Sequence, residues 1–237
     1  MQKLSIVIPC HNEEATVALL LERVCAFPLP EGWEREVIVV DDASTDGTRD
    51  LLVALADRLP IRVLARAANG GKGTALVDGF KEATGTHLLI QDADLEYDPE
   101  DIPTLLAAVD GPRVAVFGSR YLAHRGRRGG PVLRAGVWLI TEFINLLYGT
   151  KLTDACTCYK LFPKQAAPLF TTGGFAPDTL IGPALVRAGY DIREVPVSYH
   201  ARSREEGKKI KYADGFHIIG AILADYLAAR RRRAARP

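Results

Sequence analysis

No apolar run in this chain reaches the roughly 20 residues that a helix needs to cross a bilayer, so no spanning segment is expected. A basic excess is also missing. The formal net charge is +1, whereas proteins that grip nucleic acid normally carry a clear positive surplus, and no nucleic-acid partner is expected. Cysteine is scarce, with Cys10, Cys25, Cys156 and Cys158 the only four. Cys156 and Cys158 stand two apart, which matches no common zinc spacing, so reduced thiols in a cytoplasmic protein are expected. Met-Gln-Lys at the start runs straight into a strand pattern, without the charged and apolar regions of a signal peptide. Neither an internal repeat nor a clear linker interrupts the sequence. A single domain over 1–237 is therefore expected, and 48% apolar residues are ample for its core.

What is present is an alternation. Leu4 to Pro9 reads as a strand, then about Glu13 to Ala26 as a helix. Val37 to Val40 is β-branched and ends in Asp41-Asp42, and a helix follows from about Asp46 to Leu59 behind a Ser44/Asp46 capping signal. Ile61 to Leu64 is a third strand and Gly73 to Ala83 a third helix. Leu88 to Ile90 runs into Asp92, and Val114 to Phe117 into Gly118-Ser119-Arg120. Strand and helix in alternation imply an α/β fold with a mostly parallel, doubly covered sheet. Ligands in such sheets bind beyond the carboxyl ends of the strands, and the polar motifs of this chain lie there. The second half is less regular. It holds helical patterns at Val132 to Tyr148, Asp178 to Ala188 and Phe216 to Ala229, and a strand pattern from about Ile192 to Tyr199.

Asp92 and Asp94 are spaced i, i+2 where an apolar strand runs out, and Glu96 continues the series. Crowded carboxylates repel unless a cation sits between them. Mg²⁺ binds through one or two carboxylates plus substrate phosphates, and Mn²⁺ is compatible with the same oxygens. Helix capping before Pro99 accounts for part of the pattern equally well. Asp41-Asp42 closes its strand in the same way; one of the two is expected to bind nucleotide and the other to be structural. Asn69-Gly70-Gly71-Lys72-Gly73 opens the third helix, where glycines let backbone amides approach an anion. It lacks the GxxxxGK[ST] spacing of a Walker loop, and on its own it is an ordinary tight turn.

Five segments then appear in order: Ile8-Pro-Cys-His-Asn-Glu-Glu14, Val40-Asp-Asp-Ala-Ser-Thr-Asp-Gly-Thr48, Asn69-Gly-Gly-Lys-Gly73, Gln91-Asp-Ala-Asp-Leu-Glu96 and Gly118-Ser-Arg120. Together they resemble the inverting GT-A glycosyltransferases of family 2, and within that family the polyprenyl-phosphate, dolichol-phosphate mannose synthase-like branch. The resemblance covers the catalytic region to about Lys211. It implies a GT-A fold with a nucleotide-sugar-binding half (1–120), an acceptor-side half (121–215) and a C-terminal amphipathic helix with a basic tail (216–237). It implies that Pro9, Asn12, Glu13 and Lys72 line the nucleotide and that Asp41 contacts its base or ribose. Asp92 would face sugar and nucleotide, while Asp94 and Glu96 would hold Mg²⁺ or Mn²⁺. Glu96 stands where the mannose synthases commonly carry Gln. Arg120 would meet a phosphate of donor or acceptor, and Asp154 occupies the acceptor-side acidic position. The late basic loop resembles the branch's Arg-x-x-Gly-x-Ser-Lys motif, with Lys208 replacing or displacing the Ser. Arg202, Arg204 and Lys209 would contact pyrophosphate or acceptor phosphate.

The implied reaction moves a sugar from a GDP- or UDP-sugar to a polyprenyl phosphate. A hydroxyl acceptor needs a general base near it, whereas a phosphate acceptor is already ionised. The candidate base is Asp154, with Asp178 more distant, and Asp154 equally suits organising Arg120. Two apolar helices, 132–148 beside Arg128, Arg134 and Lys151 and 216–229 before Arg230 to Arg233, would offer a peripheral contact with the inner membrane face. Both serve as well for packing on the sheet or for a homodimer contact. The alternatives are the same donor chemistry on a soluble hydroxyl acceptor such as a small metabolite, and an inactive nucleotide-sugar-binding module. A nucleotidyltransferase would need a glycine- and arginine-rich loop after the first strand, which is absent.

Overall fold

The structure, a computed structural model, describes residues 1–122, 130–171, 176–202 and 212–234. Arg204, Lys208 and Lys209, and the arginines at 125, 127 and 128, lie outside the described residues.

β1 (Gln2–Cys10), β2 (Trp33–Asp41), β3 (Ile61–Ala65), β4 (His87–Ile90), β5 (Val114–Ser119), β6 (Lys160–Pro163) and β7 (Asp191–Pro196) form one sheet, in the order β3-β2-β1-β4-β6-β5-β7. β6 runs antiparallel to both of its neighbours, β4 and β5, and the other pairings are parallel. Helices α1 (Val17–Ala26), α2 (Thr48–Ala56), α3 (Lys72–Glu82), α4 (Ile102–Ala107), α5 (Pro131–Tyr148), α6 (Ala176–Arg187) and α7 (Tyr212–Ala234) complete the fold.

The central strands are buried on both faces, as their continuous Leu-Ile-Val runs require. Ile6, Ile8, Val37 and Val39 pack with α1, whereas Val7, Ile38 and Val40 pack with α3. The alternation follows the period of two along a strand. Closest approach falls at Gly79 of α3, where a β-carbon would run into the Val7 side chain. Helix α5 opens with Pro131 at its first turn and stops at Gly149, whose φ of +69° is the left-handed C-terminal conformation that glycine adopts without strain.

Three differences from the sequence reading have local causes. β6 and α4 were not expected. The helix expected from about Asp46 starts at Thr48: Gly47 occupies the cap position, although Asp46 Oδ1 still accepts the Thr48 amide at 3.0 Å. The strand expected to reach Tyr199 ends at Pro196, and Tyr199 instead makes an isolated antiparallel bridge to Tyr97. That bridge brings the chain after β7 back across the end of β4.

Helix α5 both packs and exposes apolar surface. Val137, Ile140 and Ile144 are buried, while Val132, Trp138, Leu139 and Leu146 are exposed. Helix α7 packs against α5 through Ile222, and Tyr148 of α5 donates from its hydroxyl to Asp225 at 2.8 Å. Phe216, Leu223 and Leu227 of α7 stay exposed. Among the described residues no helix is long and apolar enough to cross a membrane.

Candidate active site

A cleft of about 280 Å³ opens where β1, β2, β4 and β5 end. Pro9 and Glu13 line it from the end of β1, Asp42 from β2, and Lys72 from the first turn of α3. Asp92, Asp94 and Glu96 line it from the segment after β4, Arg120 from beyond β5, and Tyr199 and Arg202 from the chain after β7. Glu13 and Arg202, 189 positions apart, thus meet in one place.

The loops after β1 and β2 are braced by one another. Asn12, at φ +52° in the left-handed region that asparagine tolerates, turns the chain away from β1. Its side-chain oxygen accepts the Thr45 amide at 2.8 Å, and its own amide donates to Ser44 Oγ at 3.0 Å. The two adjacent aspartates differ. Asp41 is fully buried, accepting the Ser44 amide at 3.1 Å and pairing with Arg49 Nε at 2.6 Å. Asp42 is the one that lines the cleft. Its oxygens accept the Gly70 and Gly71 amides at 2.9 and 2.8 Å, and Arg66 sits beside it at 2.8 Å. Asn12 and Asp41 therefore shape the cleft from behind rather than from its wall.

Beyond β4, the carboxylates crowd as expected. Burial, then the charges of Asp92 and Glu96, push the Asp94 carboxyl up to about 7 against the opposing pull of Arg202. Asp92 Oδ1 pairs with Lys72 Nζ at 2.6 Å, and Lys72 also reaches Asp178 Oδ2 at 2.8 Å. Burial alone would lower the Lys72 pKa, but Asp178 and Asp92 raise it well above its ordinary value, so the ammonium stays charged. Asp178 Oδ1 in turn holds Lys160 Nζ of β6 at 3.0 Å. Burial opposes the Asp178 charge, yet Lys160 and Lys72 keep its pKa below the ordinary one.

Beyond β5, Asp154 is fully buried and clasped by Arg120 through two parallel bonds, Nε to Oδ2 at 2.6 Å and Nη2 to Oδ1 at 2.8 Å. The Arg120 amide donates to Oδ2 as well, at 3.1 Å. Burial works against the guanidinium charge and Asp154 more than restores it. Asp154 does not line the cleft; Arg120 does. The Arg120 guanidinium lies 4.9 Å from the centre of the Tyr199 ring, whose hydroxyl donates to Glu96 Oε2 at 2.7 Å.

Arg202 is not turned toward open solvent. It stands among Glu13, Asp94 and Glu96, with its amide donating to Glu96 Oε1 at 2.7 Å. Sequence reasoning placed Tyr199, Cys158 and Lys160 in no role. The signal for Lys160 was there: a lysine opening the apolar run Leu161-Phe162 needs a buried counter-ion.

An antiparallel strand inserted beside β4 in an otherwise parallel sheet, with acidic residues at the end of β4, defines a GT-A type nucleotide-sugar fold. The chain belongs to Glycosyl transferase family 2, whose profile matches residues 5–168. It is 35% identical over 130 residues to a dolichol-phosphate mannosyltransferase of Pyrococcus furiosus, covering 55% of this chain and 35% of that protein. To a dodecaprenyl-phosphate galacturonate synthase of Rhizobium johnstonii it is 31% identical over 216 residues, covering 87% of this chain and 61% of the other. The chain thus spans only about a third to three-fifths of the length of these curated relatives.

Solved structures share the fold, and two of them illustrate it. Glucosyl-3-phosphoglycerate synthase of Mycobacterium tuberculosis, bound to uridine diphosphate, superposes with a TM-score of 0.70 at 19% identity, covering 95% of this chain and 80% of that one. A mannosyltransferase of Pyrobaculum calidifontis, in complex with GDP-mannose and Mn²⁺, gives 0.67 at 20% identity, covering 98% of this chain and 64% of that one.

Proposed function

We propose that this chain is a metal-dependent inverting glycosyltransferase that moves a sugar from a GDP- or UDP-sugar to a polyprenyl phosphate. The observation that carries the acceptor half of this reading is the engagement of Asp154. A general base must reach the proton it removes, and Asp154 is buried behind Arg120 with both oxygens accepting. Asp178, the other candidate, is locked between Lys72 and Lys160. A phosphate acceptor needs no base, because it is ionised at neutral pH. Arg120, held in a fixed plane, then serves as its docking cation, with Asp154 as the positioning residue.

The metal residues suit a hard cation. Burial, and then the neighbouring charges, push the Asp94 carboxyl toward protonation, and a divalent ion would relieve that repulsion. Among the described residues no three such side chains stand ready to hold an ion by themselves. Two carboxylates, Asp94 and Glu96, with a donor diphosphate complete the oxygen set that Mg²⁺ or Mn²⁺ accepts. When bound, the ion supplies charge stabilisation for the departing diphosphate. In the transfer itself an acceptor phosphate oxygen forms the bond to the anomeric carbon while the bond from that carbon to the donor diphosphate breaks. The nucleoside diphosphate leaves with the bonding electrons, and the anomeric configuration inverts. Lys72, paired with Asp92 Oδ1 at 2.6 Å, holds that carboxylate oriented toward the sugar.

A long lipid acceptor also needs apolar surface beside the site. Tyr121, next to Arg120, lines a second hollow of about 430 Å³ together with Pro131, Arg134, Ala135 and Trp138 of α5. Trp138, exposed on α5, borders this hollow, and the exposed apolar face of α5 supports a peripheral position at a membrane surface. A thermal-shift screen of GDP-, UDP- and dTDP-sugars with Mn²⁺ tests the donor half: a true donor raises the melting temperature by mass action. No shift with any of the three rejects it.

A further inference from the structure

The carboxylates that suit a metal already hold a cation, and it belongs to the chain. Arg202 Nη2 lies 2.6 Å from Asp94 Oδ2, Nη1 3.3 Å from Glu13 Oε2, and Nε 3.7 Å from Glu96 Oε1. Its side chain is only 16% exposed, less than half that of Arg49 at 42%, so this is a seated guanidinium and not a surface pair. Its backbone amide on Glu96 fixes the seat from the same side.

A guanidinium and a hard divalent ion want the same oxygens. Asp94 Oδ1 is already used by the Glu96 amide at 3.0 Å, and Glu96 Oε2 by the Tyr199 hydroxyl. Of the remaining oxygens, Asp94 Oδ2 is taken by the Arg202 guanidinium, and Glu96 Oε1 accepts the Arg202 amide with Nε 3.7 Å away. Two cations bridged by one carboxylate in a half-buried pocket repel strongly. They cannot share this seat.

We infer that Arg202 is the resident counter-ion of the Glu13, Asp94 and Glu96 cluster, that a divalent cation displaces its guanidinium, and that the released guanidinium meets the donor diphosphate. This rests on the metal-and-donor reading above and deepens it. The metal must break the Arg202 ion pairs to enter, so metal alone binds weakly. A diphosphate gives the freed guanidinium a new anion, so nucleotide strengthens metal binding and metal strengthens nucleotide binding by the same factor.

The test is calorimetric titration of Mn²⁺ into the full chain, alone and with GDP or UDP, for the natural protein, Arg202→Gln and Asp94→Asn. Melting curves confirm that each is folded. Arg202→Gln is expected to bind Mn²⁺ alone about tenfold more tightly, because no paired guanidinium has to be displaced, and to lose most of the gain that a diphosphate gives the natural protein. In the unaltered protein, the Arg202 Nε–H signal in a ¹⁵N-arginine NMR spectrum, assigned with Arg202→Lys, is expected to move as Mg²⁺ saturates the site. An Arg202→Gln affinity no higher than the natural one, or an Arg202 signal unmoved at Mg²⁺ saturation, overturns the inference. Undiminished Mn²⁺ binding in Asp94→Asn overturns the metal reading itself, so the two failures are told apart.

Discussion

Arg120 grips Asp154 edge-on, two nitrogens on two oxygens at 2.6 and 2.8 Å, with the carboxylate wholly buried and the guanidinium facing the cleft. The pair is a fixed cation mounted on a hidden anion. Asp154→Asn keeps the shape but removes the charge, and breaking a buried pair costs about 3 kcal/mol. Denaturant unfolding should show that loss. Where the variant is still folded, turnover should fall about 100-fold from misplacement of Arg120. An Asp154→Asn enzyme with unchanged turnover would restore a passive role to Arg120.

Asp178 neutralises two buried lysines from separate elements, Lys72 of α3 and Lys160 of β6. Asp178→Asn takes the carboxylate partner from Lys160 and leaves Lys72 with Asp92, and should destabilise by about 3 kcal/mol. Adding Lys160→Met should recover most of that loss, since an apolar group then replaces the orphaned charge. A double-mutant cycle by urea denaturation reads the coupling.

How far these contacts could be read from the sequence differs element by element. β1, β2, β4 and β5 were legible because Leu-Ile-Val runs ending in Pro9, Asp41, Asp92 and Gly118 mark buried parallel strands and their ends. β6 was not, because a four-residue strand that opens with Lys160 and ends with Pro163 carries no period of its own. Its pairing is with β4 and β5, and its Lys160 finds a counter-ion in Asp178, 18 residues away. Helix α4 is six residues long with a proline near its start, too short for a 3.6-residue pattern. In the site, motif order located the strand ends, and so the cleft. Pairings across 106 or more residues, such as Lys72 with Asp178 or Arg202 with Asp94, belong to the packing and leave no local trace.

Glu36 lies far from the cleft and gives a pH signature. Burial raises its carboxyl, but hydrogen bonds from Ser5 and Thr84 and the Lys3 charge outweigh that and hold it at about 2, against an ordinary 4.5. A depressed folded-state value contributes stability above pH 4.5 that disappears as pH falls toward 2. Glu36→Gln should therefore be less stable than the natural protein at pH 7, and the gap should close between pH 4.5 and 2. Melting curves across that window check it.

Gly79 tests the packing of α3 on β1. Alanine is a better helix former by about 1 kcal/mol, yet its methyl group would meet Val7 and lie 3.1 Å from Val40 Cγ2. Overpacking of this kind costs about 1–3 kcal/mol. Gly79→Ala should be destabilising on balance, which chemical denaturation measures. A stabilised variant would mean that α3 moves off the sheet freely.

The most direct measurement is transfer itself. The full chain is incubated with radiolabelled GDP- and UDP-sugars, Mn²⁺, and either undecaprenyl phosphate in detergent or a panel of soluble alcohols. A labelled, organic-extractable sugar phospholipid of inverted anomeric configuration, abolished by Asp94→Asn and by chelation, is the predicted result. Transfer to the soluble alcohols with no lipid product from any donor would contradict the account.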